Sequence, residues 1–351
     1  MLPYYLLIGA SLAGAPLPAR RSGYRWGYLL VMGLACWLLA SLRYVTGFDY
    51  RFYESAFQTV AVSGLKGASW SEPGYLLLNL AVSRLCGDYR VFLFVFHLLL
   101  TFLVFTWIGR YSRSPWMSVY LFLTLQYFAL SMNFLRQAFA AAVILWTYPF
   151  LKSRRILPAC GIVLLAACFH RTALIMLPLC FLLCLPPTKL HYGLTALAAG
   201  IAYFLMDPLI QAAVTLVPKY QHYLTEKYWQ GNSFLYVLLP LGCFLFALPL
   251  LRQTARTGSP SPVLVNAMFY SLLIQLFITR HFILERLSIY VAVFSLIALP
   301  EAAAAPCGRC SSRVRTGILI AGALAYFLFA ASQGFHGVYP YHGVWDQAIA
   351  P

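Results

Sequence analysis

Ser-Met-Asn-Phe-Leu-Arg-Gln, residues 131 to 137, begins the stretch of sequence that decides the fold. It is followed by an apolar run at 138–151, the basic turn Lys-Ser-Arg-Arg at 152–155, and a second apolar run at 156–169. Both runs are shorter than the roughly 20 residues that a helix needs to cross a bilayer. The stretch therefore predicts a hairpin of two short membrane helices.

Charged residues flank this hairpin on the side opposite its turn. Short cytoplasmic loops carry an excess of Lys and Arg, so the turn is predicted to be cytoplasmic and Arg136, His170 and Arg171 to lie on the outer side. Ionisable side chains below the membrane surface are costly unless they pair or line a wet cavity, which makes these three candidate site residues. The alternative is a locally thinned bilayer with arginines that reach outward to water.

Composition sets the fold class. Of the 351 residues, 62% are hydrophobic and only 10% are charged, against about 25% charged in soluble proteins. We therefore expect an all-α, polytopic membrane protein, because helices satisfy their own backbone polar groups in lipid. It is predicted to form one domain over residues 1–351 and to have 11 to 12 transmembrane helices. The predicted spans are residues 2–17, 26–42, 91–108, 116–132, 137–151, 156–169, 172–185, 192–210, 234–251, 263–279, 287–300 and 317–331.

Two longer outer loops are predicted between these spans, at residues 43–89 and 211–233. Pro73 suits the first turn of a helix, so Pro73–Leu85 is expected to be a surface helix with Glu72 at its N-terminus. The second loop is rich in aromatic residues, as is typical of a membrane interface.

The net charge of +16 does not indicate a nucleic-acid-binding protein. The positive residues are scattered between apolar runs and form no stripe, which favours a role in membrane orientation and in binding anionic lipid or phosphate. Cys307 and Cys310 form a lone Cys-x-x-Cys in a predicted cytoplasmic loop, with no second pair to complete a zinc site.

Polar residues gather at the outer ends of several predicted helices. They are Arg136, Gln137, His170, Arg171, Arg280, His281, Glu285 and Arg286. Guanidinium groups bind phosphate bidentately, so a pyrophosphate carried by a lipid is the natural ligand for four such arginines.

Several residues on the same face are candidate general bases, which would deprotonate an acceptor hydroxyl. They are Asp49, Glu54, Glu72, His170 and Glu285. Simpler roles remain open, since Glu72 could cap its helix and His281 could pair with Glu285 four residues on.

Motifs for other chemistries do not occur. The sequence contains no Asp-x-Asp, no P-loop and no His-Glu-x-x-His, so metal-dependent nucleotide-sugar transfer, ATP hydrolysis and zinc proteolysis have no support. No metal and no cofactor are expected.

The Arg-Gln element at 136–137 and the Phe-His element at 169–170 together resemble the EpsG-like branch of the Wzy-type polysaccharide polymerases. The resemblance extends from about residue 40 to 345, and further elements that match are Gly-Phe-Asp-Tyr (47–50), Glu-Pro-Gly-Tyr (72–75), Arg-Leu-Ser-Ile-Tyr (286–290) and Tyr-Pro-Tyr (339–341).

This resemblance implies a multi-pass protein of the bacterial cytoplasmic (inner) membrane. Its substrate would be an oligosaccharide repeat unit on undecaprenyl diphosphate, polymerised at the outer face into exopolysaccharide, capsule or O-antigen. A chain-length regulator and a flippase of the same pathway would be further partners. The positions carried over from the family are Arg136, Gln137, His170 and Arg286.

The resulting hypothesis is metal-independent glycosyl transfer. The expected substrate-binding residues are Arg136, Gln137, Arg171, Arg280, Glu285, Arg286 and Tyr290, and the expected catalytic residues are Glu72, His170 and Asp49. Two alternatives stay open: a glycan ligase with the same lipid-linked donor, and a flippase or other transporter, which would place charges along a path through the bilayer.

Overall fold

Helices make up the structure, a computed structural model in which no β-strand occurs in the described residues. Those residues are 1–15, 22–64, 66, 72–216, 231–251, 262–281, 284–306 and 310–348. Arg43 and Gly343 form an isolated antiparallel bridge.

The first half of the chain contains ten of the described α-helices. They are α1 (Leu2–Leu12), α2 (Ser22–Ser41), α3 (Tyr50–Ser63), α4 (Pro73–Leu85), α5 (Tyr89–Tyr111), α6 (Pro115–Thr124), α7 (Tyr127–Asn133), α8 (Leu135–Ile144), α9 (Tyr148–Lys152) and α10 (Ile156–Ala167). A 3₁₀ turn at Leu145–Thr147 joins α8 to α9.

The α-helices described in the second half are α11 (Met176–Leu183), α12 (Lys189–Phe204), α13 (Met206–Leu216), α14 (Leu235–Ala247), α15 (Val263–Leu276), α16 (Glu285–Ala292), α17 (Ser295–Ala304) and α18 (Ser312–Ser332). Further 3₁₀ turns are Arg171–Ile175, Phe277–Thr279, Phe335–Gly337 and Val344–Ala348.

The long helix α5 is a scaffold for several other helices. It packs against α2, α4, α6 and α8. On its surface, Phe92 and Phe96 contact the rings of Phe57, Tyr75 and Phe139. Aromatic pairs of this kind bury large apolar areas, and they fix α3, α4 and α8 relative to one another.

The predicted hairpin is confirmed. Helices α8 and α9 together cover its first arm, α10 is its second, and the turn at 153–155 separates them. The two arms pack against each other through α8 and α10.

The helix predicted at 116–132 is not continuous, and this prediction was wrong. Gln126 adopts a left-handed conformation with φ 69° between α6 and α7. The Tyr339 hydroxyl donates a hydrogen bond to Gln126 Oε1 at 2.9 Å. Tyr339, from the C-terminal segment, therefore stabilises a helix break at Gln126 that the local sequence does not predict.

The predicted number of spans is only partly supported. By length and composition, two helices in the described ranges can each cross a membrane, Tyr89–Tyr111 and Ser312–Ser332. The number rises to four if two bent pairs count as single spans: Lys189–Phe204 with Met206–Ala212, bent by 69°, and Glu285–Ala292 with Ser295–Ala304, bent by 49°. The total of 11 to 12 stays a prediction.

The segments that follow the predicted spans 2–17, 91–108 and 287–300 are each predicted to be cytoplasmic, and they lie together. Arg25 Nη2 donates to the Ser112 carbonyl at 2.9 Å, and Arg113 Nη1 lies 3.5 Å from Glu301 Oε2. The guanidinium of Arg315 donates to the carbonyl of Ala302 at 2.8 Å. These contacts join the three segments, and the side of the membrane that they face stays a prediction.

The segment 43–89 contains two helices, α3 and α4, where one was predicted. Helix α4 has the predicted bounds, and α3 packs against it. In the other predicted loop, 211–233, α13 continues to Leu216, and residues 217–230 lie outside the described residues. Part of the Cys-x-x-Cys element, at 307–309, also lies outside them.

The C-terminal segment 335–346 runs back along residues 42–48. Tyr44 N–H donates to the His342 carbonyl at 2.8 Å, and Gly47 N–H donates to the Gly337 carbonyl at 2.9 Å. These backbone bonds hold the segment beside α7 and α8, the helices that lead to the candidate site.

Candidate functional site

Gly74 brings the start of α4 against the end of α10. Its N–H donates to the Cys168 carbonyl at 2.7 Å, and a Cβ at this position would lie 2.8 Å from that same oxygen. Only glycine permits such an approach without movement of the backbone. The contact places Glu72 next to the segment that carries His170 and Arg171.

The Glu72 carboxylate is the centre of a cluster of predicted site residues. Its Oε2 accepts a hydrogen bond from Arg136 Nη1 at 2.6 Å. Its Oε1 accepts one from the backbone N–H of Arg171 at 3.3 Å and lies 3.3 Å from His170 Nδ1. Glu72 occupies the N-cap position of α4, but its side chain makes no capping bond there. The capping role considered for Glu72 is therefore wrong.

Glu72 is ionised at neutral pH. Burial acts to raise the pKa of this carboxyl group, but His170 and Arg136 outweigh burial and lower the pKa to about 2. Only 7% of the side chain is exposed. Such a carboxylate is suited to holding cations in place and is a weak acceptor of protons at pH 7.

Arg136 is held on several sides. Besides its ion pair with Glu72, it lies beside the Tyr53 side chain, and its guanidinium carbon lies 5.9 Å from the centroid of the Tyr75 ring. Its side chain is 18% exposed.

The imidazole of His170 faces Glu72 but lacks a well-directed hydrogen bond. Both of its ring nitrogens are buried without a hydrogen-bond partner in the part of the chain that the structure describes.

A cavity of about 860 Å³ lies on another side of α8. Its walls come from α7, α8, α14, α15, α16, α18 and the C-terminal segment. Polar lining residues include Gln126, Gln137, Ser271, Gln275, Glu285, Arg286, Ser288 and His336, and apolar ones include Leu130, Leu235, Leu238, Leu239, Ala292 and Phe329. A cavity with this mixed lining fits a ligand that is part polar and part hydrocarbon.

Arg286 is the cation of this cavity. Its guanidinium carbon lies 5.1 Å from the centroid of the Phe134 ring, and it forms no ion pair within the described residues. The side-chain amide of Gln137 donates to the backbone carbonyl of Arg286. The Arg-Gln element thus joins α8 to α16 at the residue that carries the guanidinium.

Asp49 lies within the electrostatic range of both arginines. Burial raises the pKa of its carboxyl group, while Arg286 and Arg136 oppose that rise. Its backbone N–H donates to Asn133 Oδ1 at 3.0 Å, so Asp49 sits beside the junction of α7 and α8.

Two predicted binding residues have other partners. Arg280 pairs with Asp207, a residue of the bent helix pair α12 and α13, and His281 Nε2 lies 2.8 Å from the same carboxylate. Tyr290 is fully buried, and its hydroxyl lies 2.8 Å from that of Thr172. The structure therefore brings Glu72, His170, Arg136 and Arg171 together, places Gln137, Glu285 and Arg286 at the cavity, and puts Arg280 in a separate cluster.

Some residues of the cavity were not predicted. His336 is the clearest case, and its only local signal is the turn-forming pair of glycines at 334 and 337.

Among the described residues, no three His, Cys, Asp or Glu side chains are grouped to hold a metal ion. Metal independence stays a prediction.

The helical architecture and the apolar spans are those of a membrane protein, with a buried ion-pair cluster beside a cavity of mixed polarity. The chain belongs to the EpsG family, whose family model matches residues 26–342. This family is associated with polysaccharide polymerase activity, and membership indicates a role in polysaccharide synthesis in general. No curated protein and no solved structure gives a significant match.

Proposed function

We propose that the protein is a glycosyltransferase that joins oligosaccharide repeat units, carried on undecaprenyl diphosphate, into a polysaccharide. The reaction would be independent of metal and would take place at the outer face of the bacterial cytoplasmic membrane. Family membership supports polymer synthesis, and the cavity beside Arg286 supports a donor that carries both a diphosphate and a lipid.

Arg286 is the observation that carries this proposal. It is a guanidinium without a carboxylate partner among the described residues, at the wall of a cavity with many apolar side chains. A donor diphosphate bound there would supply the missing negative charge. As the bond from the anomeric carbon to the diphosphate oxygen breaks, the electron pair moves to that oxygen, and Arg286 stabilises the charge that develops.

The cluster around Glu72 would hold Arg286 in position at this site. Glu72 fixes Arg136 at the first turn of α8, and the neighbouring Gln137 binds the carbonyl of Arg286. Glu72, Arg136 and His170 would then position the donor-binding arginine. The expectation that Arg136 itself binds the diphosphate, with Arg171, also stays a proposal.

The test is an assay with the purified protein in lipid nanodiscs and a repeat unit linked to undecaprenyl diphosphate. The wild type should extend the repeat into a ladder, with or without a metal chelator. Arg286→Ala should lower donor affinity about 10- to 100-fold, since hydrogen bonds to charged groups contribute about 1.5–3 kcal/mol.

Arg110→Ala is the matched control for this assay. Arg110 also lies against an aromatic ring, 5.3 Å from the centroid of Trp146, but in a predicted cytoplasmic segment. It should bind donor like the wild type. Unchanged donor affinity in Arg286→Ala would contradict the proposed binding mode.

Cells that carry Arg286→Ala distinguish the proposed polymerase from the alternatives. Single lipid-linked repeats should accumulate if the protein is a polymerase. Long lipid-linked chains would instead indicate a ligase, and a wild-type protein that moves the lipid-linked repeat across a membrane without extending it would indicate a transporter.

A further inference from the structure

His336 has a backbone conformation that is rare for its residue type. Its φ of 62° and ψ of 2° lie in the left-handed region, which residues other than glycine occupy only occasionally. Such conformations persist where surrounding contacts enforce them, and they are concentrated at functional sites.

Backbone hydrogen bonds from Gly47 and Phe48 enforce this conformation. Phe48 N–H donates to the His336 carbonyl at 3.2 Å, and Gly47 N–H donates to the Gly337 carbonyl at 2.9 Å. The chain thus fixes His336 from a segment nearly three hundred residues away in sequence.

The fixed side chain lies at the cavity wall. Its ring centroid is 5.6 Å from that of Phe134, edge-on at 82°, and the same phenyl ring carries the guanidinium of Arg286 at 5.1 Å. His336 and Arg286 both line the cavity. Phe134 therefore holds an imidazole and a guanidinium beside the same space.

Neither ring nitrogen of His336 is used within the protein, as far as the described residues extend. Burial lowers the pKa of His336 to about 4, so the ring is neutral at pH 7 and can accept a proton. The other titratable or charged side chains that line the cavity are Glu285 and Arg286 of α16, Tyr127 of α7, Tyr236 and Cys243 of α14, and Tyr326 of α18.

We propose that His336 is the general base that deprotonates the acceptor hydroxyl, an inference that rests on the proposed glycosyl transfer. The hydroxyl proton moves to an imidazole nitrogen while the acceptor oxygen forms the new bond to the anomeric carbon. The bond from that carbon to the diphosphate breaks, and its electron pair leaves with the diphosphate. The imidazolium then releases its proton to the departing diphosphate or to water.

Glu72 and His170, two of the five candidate bases predicted from the sequence, are less suited to this step. Glu72 is an ion-paired carboxylate, and both ring nitrogens of His170 are buried away from the cavity lining. A donor diphosphate near His336 would favour the protonated ring, because an opposite charge stabilises the charged form. Donor binding would thus make His336 a stronger base when a proton has to be taken up.

Two substitutions test His336 without disturbing its backbone. His336→Asn keeps a residue that tolerates the left-handed region, and His336→Gly removes the conformational strain altogether. His342→Asn is the control, because His342 belongs to the same segment, is about half exposed and lies 3.8 Å from Asp346 at its Nδ1.

Donor binding and polymer formation are measured separately for each variant in nanodiscs with the lipid-diphosphate-linked repeat. We expect both His336 variants to bind donor like the wild type while turnover falls about 10²- to 10⁴-fold. At low donor concentration, wild-type turnover should decline as the pH falls towards about 4, the pKa of His336 in the free protein, and the residual turnover of the variants should lack this decline.

Wild-type turnover in either His336 variant would overturn the assignment, and so would a loss of turnover explained entirely by weaker donor binding. The proposed function fails separately. If Arg286→Ala loses donor affinity while the His336 variants remain active, only the role of His336 is wrong, whereas a wild type that never extends the repeat contradicts the glycosyl transfer itself.

Discussion

Replacement of Glu72 by Gln keeps the shape of the side chain and removes the charge at the centre of the buried cluster. A pKa of about 2, against an ordinary value of 4.5, corresponds to about 3 kcal/mol of folding free energy at pH 7. The variant should therefore be about 3 kcal/mol less stable. Because the pKa is lowered in the folded state, this contribution is complete above about pH 4.5 and is lost as the pH falls towards 2.

The measurement is the unfolding of the detergent-solubilised wild type and variant at a series of pH values. The difference in stability should stay constant from pH 8 to pH 6 and shrink only below about pH 5. Glu54→Gln is the control, since Glu54 forms an ion pair with Arg51, whose side chain is 61% exposed, and this pair should contribute less than about 1 kcal/mol.

A stability difference that already shrinks between pH 8 and pH 6 would refute this reasoning. It would mean that Glu72 takes up a proton near neutral pH, which is the behaviour of a general base. An equal stability of wild type and variant at pH 7 would instead mean that the ion pair with Arg136 contributes nothing to folding.

Two further substitutions test the packing around the cluster. Gly74→Ala should destabilise the protein by about 1–3 kcal/mol in thermal unfolding and lower turnover, because the new methyl group would meet the Cys168 carbonyl at 2.8 Å. Gly161→Ala is the control, because Gly161 is a helical position with open space around it. This variant should be neutral or slightly stabilised in the same measurement. Tyr290→Phe should lower stability by about 1 kcal/mol through the lost hydrogen bond to Thr172 and leave turnover unchanged. A large loss of donor affinity in this variant would instead support the prediction that Tyr290 binds the donor.

The sequence predicted the elements whose signals are local. The basic turn at 152–155 marked the hairpin, and Pro73 marked the start of α4. The break at Gln126 has no such signal, because the bond that stabilises it comes from Tyr339, more than two hundred residues later. Residues brought together by the tertiary fold cannot be recognised from spacing alone.

The same limit explains the candidate site. Glu72, Arg136, His170 and Arg171 lie together in the structure, but the sequence did not predict the partner of every charged residue. Arg280 was assigned to the diphosphate because it follows a membrane helix, whereas the bend between α12 and α13 places Asp207 next to it. His336 was missed because its importance comes from a backbone conformation that contacts with Gly47 and Phe48 enforce.

The contacts of Arg136 and Gln137 give a structural explanation of the Arg-Gln element. Consecutive helical residues point about 100° apart around the axis, so Arg136 and Gln137 face different neighbours from one turn of α8. Arg136 binds Glu72 in the buried cluster, and Gln137 binds the carbonyl of Arg286 at the cavity. A single helical turn therefore connects the α4–α10 contact to Arg286. In the proposed function, the buried ion pair would support donor binding by fixing the position of Arg286, even though Glu72 is remote from the cavity lining.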